Sequence, residues 1–436
     1  MQPIIGIRRE DKNEWERRVP LAPRHVKDLV GKGFAVHIQP SDIRVFKDSE
    51  YVEAGASVQE DLSDAKIIYG VKEFPTEFIK QEQAGMFFAH VIKGQKYNMP
   101  MLKAILDRKF TLIDYEKVTN DRNQRLVFFG NYAGLAGMLE TLYTFGRRLE
   151  WEGYDTPFLA LKRPLEYGSL EEAKAALYVV GRWISIMGLP PGMGPMIVGF
   201  AGYGNVSKGA QSIMDILPVE EIAPSELEDF IREGDFSPYL IYKVVFYEKD
   251  MVEPKDPEGH FELQDYFKNP EKYNGVFEQY LDKLSILVNC IYWDARYPRL
   301  ITKKWVKEKW TRQSMLKVIG DITCDIEGSV EITLKGTEPG NPVYVYNAEK
   351  DAKEWGWEGN GPVVMSVDTL PSELPREASI FFGGQLMPFA QSIGKADFKA
   401  DFAELDLPPE IKKAVIAHKG KLTPNYEYLA QHLVEG

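Results

Sequence analysis

The chain has 436 residues, 44% of them hydrophobic and 27% charged, an ordinary balance for a globular protein of two or three domains. Fifty-three Lys and Arg against 65 Asp and Glu leave a net charge of -12, which argues against a dedicated nucleic-acid binder but not against a local basic pocket for an acidic small molecule. Two cysteines, Cys290 and Cys324, are too few for a disulfide scaffold, and neither they nor the six scattered histidines show metal-ligand spacing.

The opening MQPIIGIRRE lacks the apolar core of a signal peptide, and no run approaches the roughly 18 apolar residues of a membrane span. The expected setting is cytoplasmic, with the mitochondrial matrix left open to a chain whose transit peptide has been removed.

Short apolar runs alternate with amphipathic stretches, the pattern of βαβ units. Residues 3–9 read as a first strand and 21–32 as a helix, with Pro23 in its first turn and Gly33 at its stop. Strands follow at 34–40, 65–71, 85–90 and 111–116. A long helical pattern covers 132–150. Ser169 with Glu172 has the spacing of a capping box for a helix running to about 187. PMIVGF (195–200) shows no alternation, as expected of a strand buried on both faces, and a helix at 205–217 follows it. Segments 284–293 and 314–324 are later strands. Residues 245–283 are polar and aromatic with no clear period, and read as an insertion or irregular crossover. The tail predicts helices near 376–392, 409–419 and 424–434, and is too poor in strands to form its own sheet.

GFAGYGNVSKGA (199–210) joins a buried strand to a helix, the context of a dinucleotide fingerprint. Gly202 and Gly204 would let the backbone approach a pyrophosphate, and the free N–H groups of Asn205, Val206 and Ser207 would face the phosphates. The third glycine position holds Ser207, and Gly209 comes two residues late. The alternative is a glycine-rich turn of any α/β protein. An acidic residue is expected about 20 positions on, to take the ribose hydroxyls. Glu220 and Glu221 lie inside the strand VEEIAPS, and Ala223, Pro224 and Ser225 stand at its end. No carboxylate there would repel a 2′-phosphate, so NADP(H) is favoured over NAD(H).

Lys72 and His90 each follow a strand, and parallel strands deliver their C-terminal ends to one ligand-binding edge. Together they could serve as an acid/base pair, or be a solvated lysine and a core histidine. Arg17, Arg18 and Arg125 could clamp carboxylates or be solvated loop charges. Asp321 and Asp325 bracket DITCD, to orient a substrate or to cap a turn.

The segments RREDKNEWERRVPLAP, GVKE and FFAHVIK resemble the alanine dehydrogenase/saccharopine dehydrogenase superfamily. Within it, IDYEKVTNDRNQRLVFFGNYAGLAGM, GNVSKGAQ, VNCIYW, GDITCDIEGSVE and DTLPSELPREAS are most similar to the lysine–ketoglutarate reductase half of bifunctional aminoadipic semialdehyde synthase. The resemblance implies two Rossmann-like α/β domains with an inter-domain cleft: a substrate domain of 1–131 and 355–436, and an inserted dinucleotide-binding domain of 132–354. It implies condensation of L-lysine with 2-oxoglutarate and reduction of the imine to saccharopine by NADPH. On it, Lys72 and His90 match the acid/base residues, Arg18 and Arg125 the substrate-carboxylate arginines, and Glu73 and Glu116 nearby carboxylates. Phe129 and Asp325 join the substrate side. Gly202, Gly204, Asn205, Val206, Ser207, Asn289, Ile291 and Asp321 join the cofactor side, and Arg17 matches less well. Small molecules are the expected partners, with a homodimer left open and neither metal, nucleic acid nor membrane expected. The competing readings are an NAD-dependent lysine-forming saccharopine dehydrogenase, an alanine dehydrogenase, and a non-catalytic ligand sensor on the same fold.

Overall fold

A computed structural model describes residues 2–433, and the chain divides into two units: residues up to Phe129 with those from Pro375 onward, and Gly130–Leu374. Among the described residues no helix is long and apolar enough to cross a membrane.

The first unit begins with six parallel strands: β1 (Ile4–Ile7), β2 (Ala35–Ile38), β3 (Ser57–Val58), β4 (Ile67–Tyr69), β5 (Ala84–Phe87) and β6 (Thr111–Asp114). Every residue of β4, β5 and β6 is buried, as parallel strands covered on both faces require. Tyr69 pairs with Met86, and Phe87 with Asp114, so the residues that follow β4, β5 and β6 leave from one sheet edge.

The second unit holds β7 (Ile197–Ala201), β8 (Val219–Glu221), β9 (Ile241–Phe246), the antiparallel ribbon β10 (Val252–Pro254) and β11 (Tyr273–Gly275), then β12 (Ile286–Asn289), β13 (Val318–Asp321), β14 (Val343–Asn347), β15 (Ala352–Trp355) and β16 (Val363–Met365). Its main sheet runs β15-β14-β16-β13-β12-β7-β9-β8, parallel from β16 to β8. The chain leaves β7 toward β9 on one side and later crosses to β12 on the other, so the ends of β7 and β12 form a topological switch point, where open α/β sheets bind ligands.

Two helices flank this sheet's glycine turn. Helix Gly130–Trp151 lies against helix Asn205–Met214 so closely that a Cβ at Gly134 would strike the Val206 carbonyl, and one at Gly209 the Asn131 carbonyl. The late glycine of the sequence motif is thus a helix-packing residue. The helix expected to 187 is Leu170–Met187; Ser169 Oγ accepts from the Glu172 N–H at 3.2 Å, and the Glu172 carboxylate takes the Gly168 N–H.

After Leu374 the chain rejoins the first unit through helix Pro375–Lys395 and adds β17 (Val415–His418), antiparallel to β6, and β18 (Lys421–Leu422). The first sheet is therefore β18-β17-β6-β5-β4-β1-β2-β3.

Four sequence expectations change. Residues 355–374 stay with the second unit because β16 pairs with β13 there. The helix expected at 409–419 stops at Lys412, and the apolar run that follows is buried as β17. The crossover at 245–283 contains the β10–β11 ribbon, and its first two residues complete β9, a fully buried strand that the sequence reading passed over. The helix expected at 424–434 is a 3₁₀ turn, Pro424–Leu429, continued by Ala430–Leu433; residue 434 lies outside the described residues.

Candidate active site and dinucleotide turn

In the first unit, Lys72 stands just past β4 and His90 just past β5. Glu10 anchors the turn that carries Lys72: its carboxylate accepts the Val71 N–H at 2.6 Å and the Lys72 N–H at 3.0 Å. Burial, with Glu16 nearby, pushes the Glu10 carboxyl up to about 7. Burial also lowers the Lys72 ammonium from its ordinary value, and the neighbouring Arg18 charge adds to that.

His90 takes a left-handed backbone conformation (φ 49°), and the Asn98 amide donates to the carbonyls of Ala89 and His90 at 3.1 Å each. Its Nδ1 donates to Glu73 Oε1 at 2.7 Å, while Lys12 Nζ reaches the same carboxylate at 3.0 Å. Burial opposes charge on Glu73, but the His90 hydrogen bond and charge prevail and draw its carboxyl down to about 2.

Arg18 is buried and bound in fork fashion to the buried Glu16, Nε to Oε1 at 2.7 Å and Nη2 to Oε2 at 2.6 Å. Its guanidinium lies over the Phe129 ring, 4.4 Å from the centroid, and Phe129 stacks on Phe382 of the returning helix. Arg18 thus shares its charge with an internal carboxylate, which the sequence reading did not foresee. Arg17 instead donates to the Ile43 carbonyl.

Glu116 leaves β6 at the same edge and pairs with Arg125, whose side chain is exposed. Both line a cavity of about 420 Å³ with Lys117, Lys413 and Tyr428. Asp114, buried beneath, is held up at about 7 chiefly by desolvation. The structure therefore gathers Arg18, Lys72, Glu73, His90 and Phe129, while Glu116, paired with Arg125, follows β6 at the same sheet edge and lines a separate cavity. Lys12, Glu10 and Glu16 join this edge without having been foreseen; the acid–x–base spacing of Glu16 and Arg18 was the available signal.

In the second unit, Gly202 has φ +93°, a conformation that favours glycine, and Gly204 caps helix Asn205–Met214. A side chain at Gly204 would meet nothing within 4 Å, so the turn leaves an open cradle before the helix. Asn205 and Val206 form the helix's first turn, and Ser207 is buried, its Oγ accepting from Gln211. Phe246, Ala201, Asn289 and Asp321 lie in one register row across four strands, which sets the edge where β9, β7, β12 and β13 end. Asn289 donates to Asp321 Oδ1 at 2.8 Å, and to Thr323 and Ser329. Asp321 is fully buried, and desolvation raises its carboxyl. Asn289 and Asp321 thus bind each other inside the sheet edge. Ile291 lines a cavity of about 380 Å³ with Gly202, Gly204 and Glu248. Asp325 belongs to this unit, on the exposed turn after β13.

The strand beside β7 is β9, and β8 lies outside it. The premise of the NADP(H) expectation fails on this point. Tyr247 and Glu248, rather than Ala223–Ser225, follow the strand beside β7.

The alanine dehydrogenase/PNT family matches this chain twice, its N-terminal domain over residues 6–136 and its C-terminal domain over 248–425. The chain belongs to the alanine dehydrogenase/PNT family. That family is one of pyridine-nucleotide-dependent dehydrogenases. This family member is 39% identical to alpha-aminoadipic semialdehyde synthase of Arabidopsis thaliana, over 98% of this chain and 41% of that one. It is 35% identical to the mitochondrial alpha-aminoadipic semialdehyde synthase of Mus musculus, over 98% and 48%. The chain thus spans less than half the length of these relatives. Saccharopine dehydrogenase [NAD(+), L-lysine-forming] of Emericella nidulans is 27% identical, over 88% of this chain and 90% of that one. Among solved structures, an L-alanine dehydrogenase superimposes with a TM-score of 0.64 at 21% identity, covering 99% of each chain. A transhydrogenase from Sinorhizobium meliloti gives 0.57 at 16% identity, over 96% of this chain and all of the other. These likenesses fix the shared α/β fold.

Proposed function

We propose that this chain condenses the ε-amine of L-lysine with the ketone of 2-oxoglutarate and reduces the imine to saccharopine. The likeness to alpha-aminoadipic semialdehyde synthase supports the reading. The observation that carries it is the first unit's sheet edge, where a desolvated Lys72 and a Glu73-held His90 stand with arginines at hand.

Both substrates bring carboxylates, and Arg18 and Arg125 would hold them in a locally positive site despite the chain's net charge. The attacking amine must be neutral. Lys72, its ammonium destabilised by burial and Arg18, takes the amine's proton at Nζ. Attack gives a carbinolamine, which must lose hydroxide as water. His90, with Nδ1 committed to Glu73, delivers that proton from Nε2. Phe129 and its stacked partner Phe382 provide an apolar wall. The glycine turn and its open cradle fit a nicotinamide dinucleotide, with Gly202, Gly204 and the N–H groups of Asn205, Val206 and Ser207 around the pyrophosphate. When bound, the dinucleotide supplies the hydride that reduces the imine carbon. We propose a cytoplasmic or mitochondrial-matrix setting, in keeping with the mitochondrial name of the mouse relative.

The test is absorbance at 340 nm. The reading predicts nucleotide oxidation that requires lysine and 2-oxoglutarate together. Oxidation with pyruvate and ammonia instead would make the chain an alanine dehydrogenase, and oxidation with neither pair would leave a binding protein.

A further inference from the structure

We propose that helix Leu170–Met187 is a dimer seam: its exposed face takes the same face of a second copy of this chain, antiparallel about a two-fold axis at Val179. The dimer is independent of the chemistry proposed above. A surface helix normally carries one apolar stripe, which faces the core. This helix carries two. Leu170, Ala173, Leu177, Val180 and Ile184 are buried in the core of the second unit. On the opposite side Ala175, Val179, Trp183 and Ile186 follow one another at steps of three or four residues, the spacing of a helix-pairing seam, with Tyr178 and Met187 on its flanks. Trp183 is 50% exposed, Tyr178 59%, Ile186 60% and Met187 78%. Exposed apolar residues scattered singly are ordinary, whereas a continuous stripe marks a surface that binds. Tyr239 is exposed as well and lies 3.4 Å from where a Cβ on Gly188 would stand, so the apolar surface continues past the helix end.

The face fits its own copy. Its N-terminal half is small and acidic, with Glu171, Glu172, Ala175 and Ala176. Its C-terminal half is large and basic, with Arg182, Trp183, Ile186 and Met187. Two antiparallel copies with the axis at Val179 set Trp183 against the partner's Ala175, so a large side chain meets a small one on each side of the axis. The same register brings Arg182 within one turn of the partner's Glu172. Arg182 is exposed and has no ion pair among the described residues. The Glu172 carboxylate gives one oxygen to the Gly168 N–H at 2.8 Å and keeps the other for a guanidinium. A parallel copy would instead set tryptophan on tryptophan and glutamate on glutamate. A two-fold contact requires one patch to complement itself, and the gradient of size and charge along this helix meets that requirement. The exposed ion pair fixes orientation and contributes little affinity, which comes from the apolar stripe.

The test is sedimentation velocity of the full chain over a concentration series from about 1 to about 50 µM. The proposal predicts a dimer whose dissociation constant rises about a hundredfold or more in Trp183→Glu, the scale of losing a central aromatic anchor. Arg182→Glu, at the rim, should weaken it only severalfold. Both side chains are exposed in the single chain, so melting temperatures compared at monomeric dilution should be unchanged. Val179→Cys, on the axis, should join two chains through a disulfide under mild oxidation. Ser185→Cys, exposed but off the stripe, should not, and neither should the unaltered chain with its Cys290 and Cys324. A monomer throughout the series would overturn the proposal. So would a dimer that survives Trp183→Glu and does not cross-link in Val179→Cys, because the contact would then lie elsewhere. The disulfide decides the matter even if Trp183→Glu fails to fold.

Discussion

His90 Nδ1 donates to Glu73 Oε1 at 2.7 Å, which fixes the imidazole at the end of β5 and leaves Nε2 as the nitrogen the proposed chemistry would use. His90→Gln should cut turnover by about 10²-fold, the usual scale for loss of a general acid or base. Glu73→Gln keeps the shape but removes the charge, and should cost about tenfold in turnover with little change in either Michaelis constant. Steady-state kinetics on both substrates checks this; wild-type turnover in His90→Gln would remove the residue from the chemistry.

Lys72→Met should also lose about 10²-fold or more in turnover. The same change removes a buried cation, so the melting temperature should hold or rise. Lost activity with a lowered melting temperature would point to misfolding rather than to missing chemistry.

Arg125 is exposed and paired with Glu116, so its removal should spare the fold. Arg125→Ala should raise the Michaelis constant for 2-oxoglutarate severalfold with turnover little altered. An unchanged constant would count against the clamp.

Glu10 gives a pH dependence of stability. Its carboxyl is held up to about 7 in the folded chain against an ordinary value of 4.5. Between these values the folded state binds the extra proton, so this contribution is fully present below about pH 4.5 and is lost as the pH rises through 7. Glu10→Gln keeps an acceptor for the Val71 or Lys72 N–H without the ionisation. The stability of Glu10→Gln relative to the unaltered chain should therefore rise between pH 5 and pH 8, by on the order of 3 kcal/mol at most. Urea unfolding at a series of pH values measures it, and a flat difference would contradict the account.

Gly209 packs on the Asn131 carbonyl, where a Cβ has no room. Gly209→Ala should push helix Asn205–Met214 away from helix Gly130–Trp151, costing about 1–3 kcal/mol in stability and weakening nucleotide binding. Unfolding and nucleotide titration of one sample would test both effects.

The α/β pattern and most strands were legible because buried parallel strands are short apolar runs, and β1, β4, β5 and β7 are nearly pure examples. β9 was missed because Lys243 interrupts it. That lysine is buried, and Asp215 and Glu221 answer it at 2.9 and 3.1 Å, a compensation invisible along the chain. The spacing rule for the fingerprint then pointed to β8, an edge strand. β17 was read as helix because a four-residue apolar run has no period of its own. Lys72 and His90 were visible as residues that follow strands, and resemblance supplied their roles. Glu10 could not be found, because what matters in it is burial and two backbone N–H partners; for Glu16 the spacing to Arg18 was a signal, but not the burial that makes the pair internal.

The most direct measurement of the central claim is mass spectrometry of the product formed from 2-oxoglutarate, reduced nucleotide and lysine carrying ¹⁵N at its ε-amine. The account predicts saccharopine that retains the label at its secondary amine, with yield falling about 10²-fold in Lys72→Met and His90→Gln. Absence of saccharopine, or labelled glutamate in its place, would contradict it.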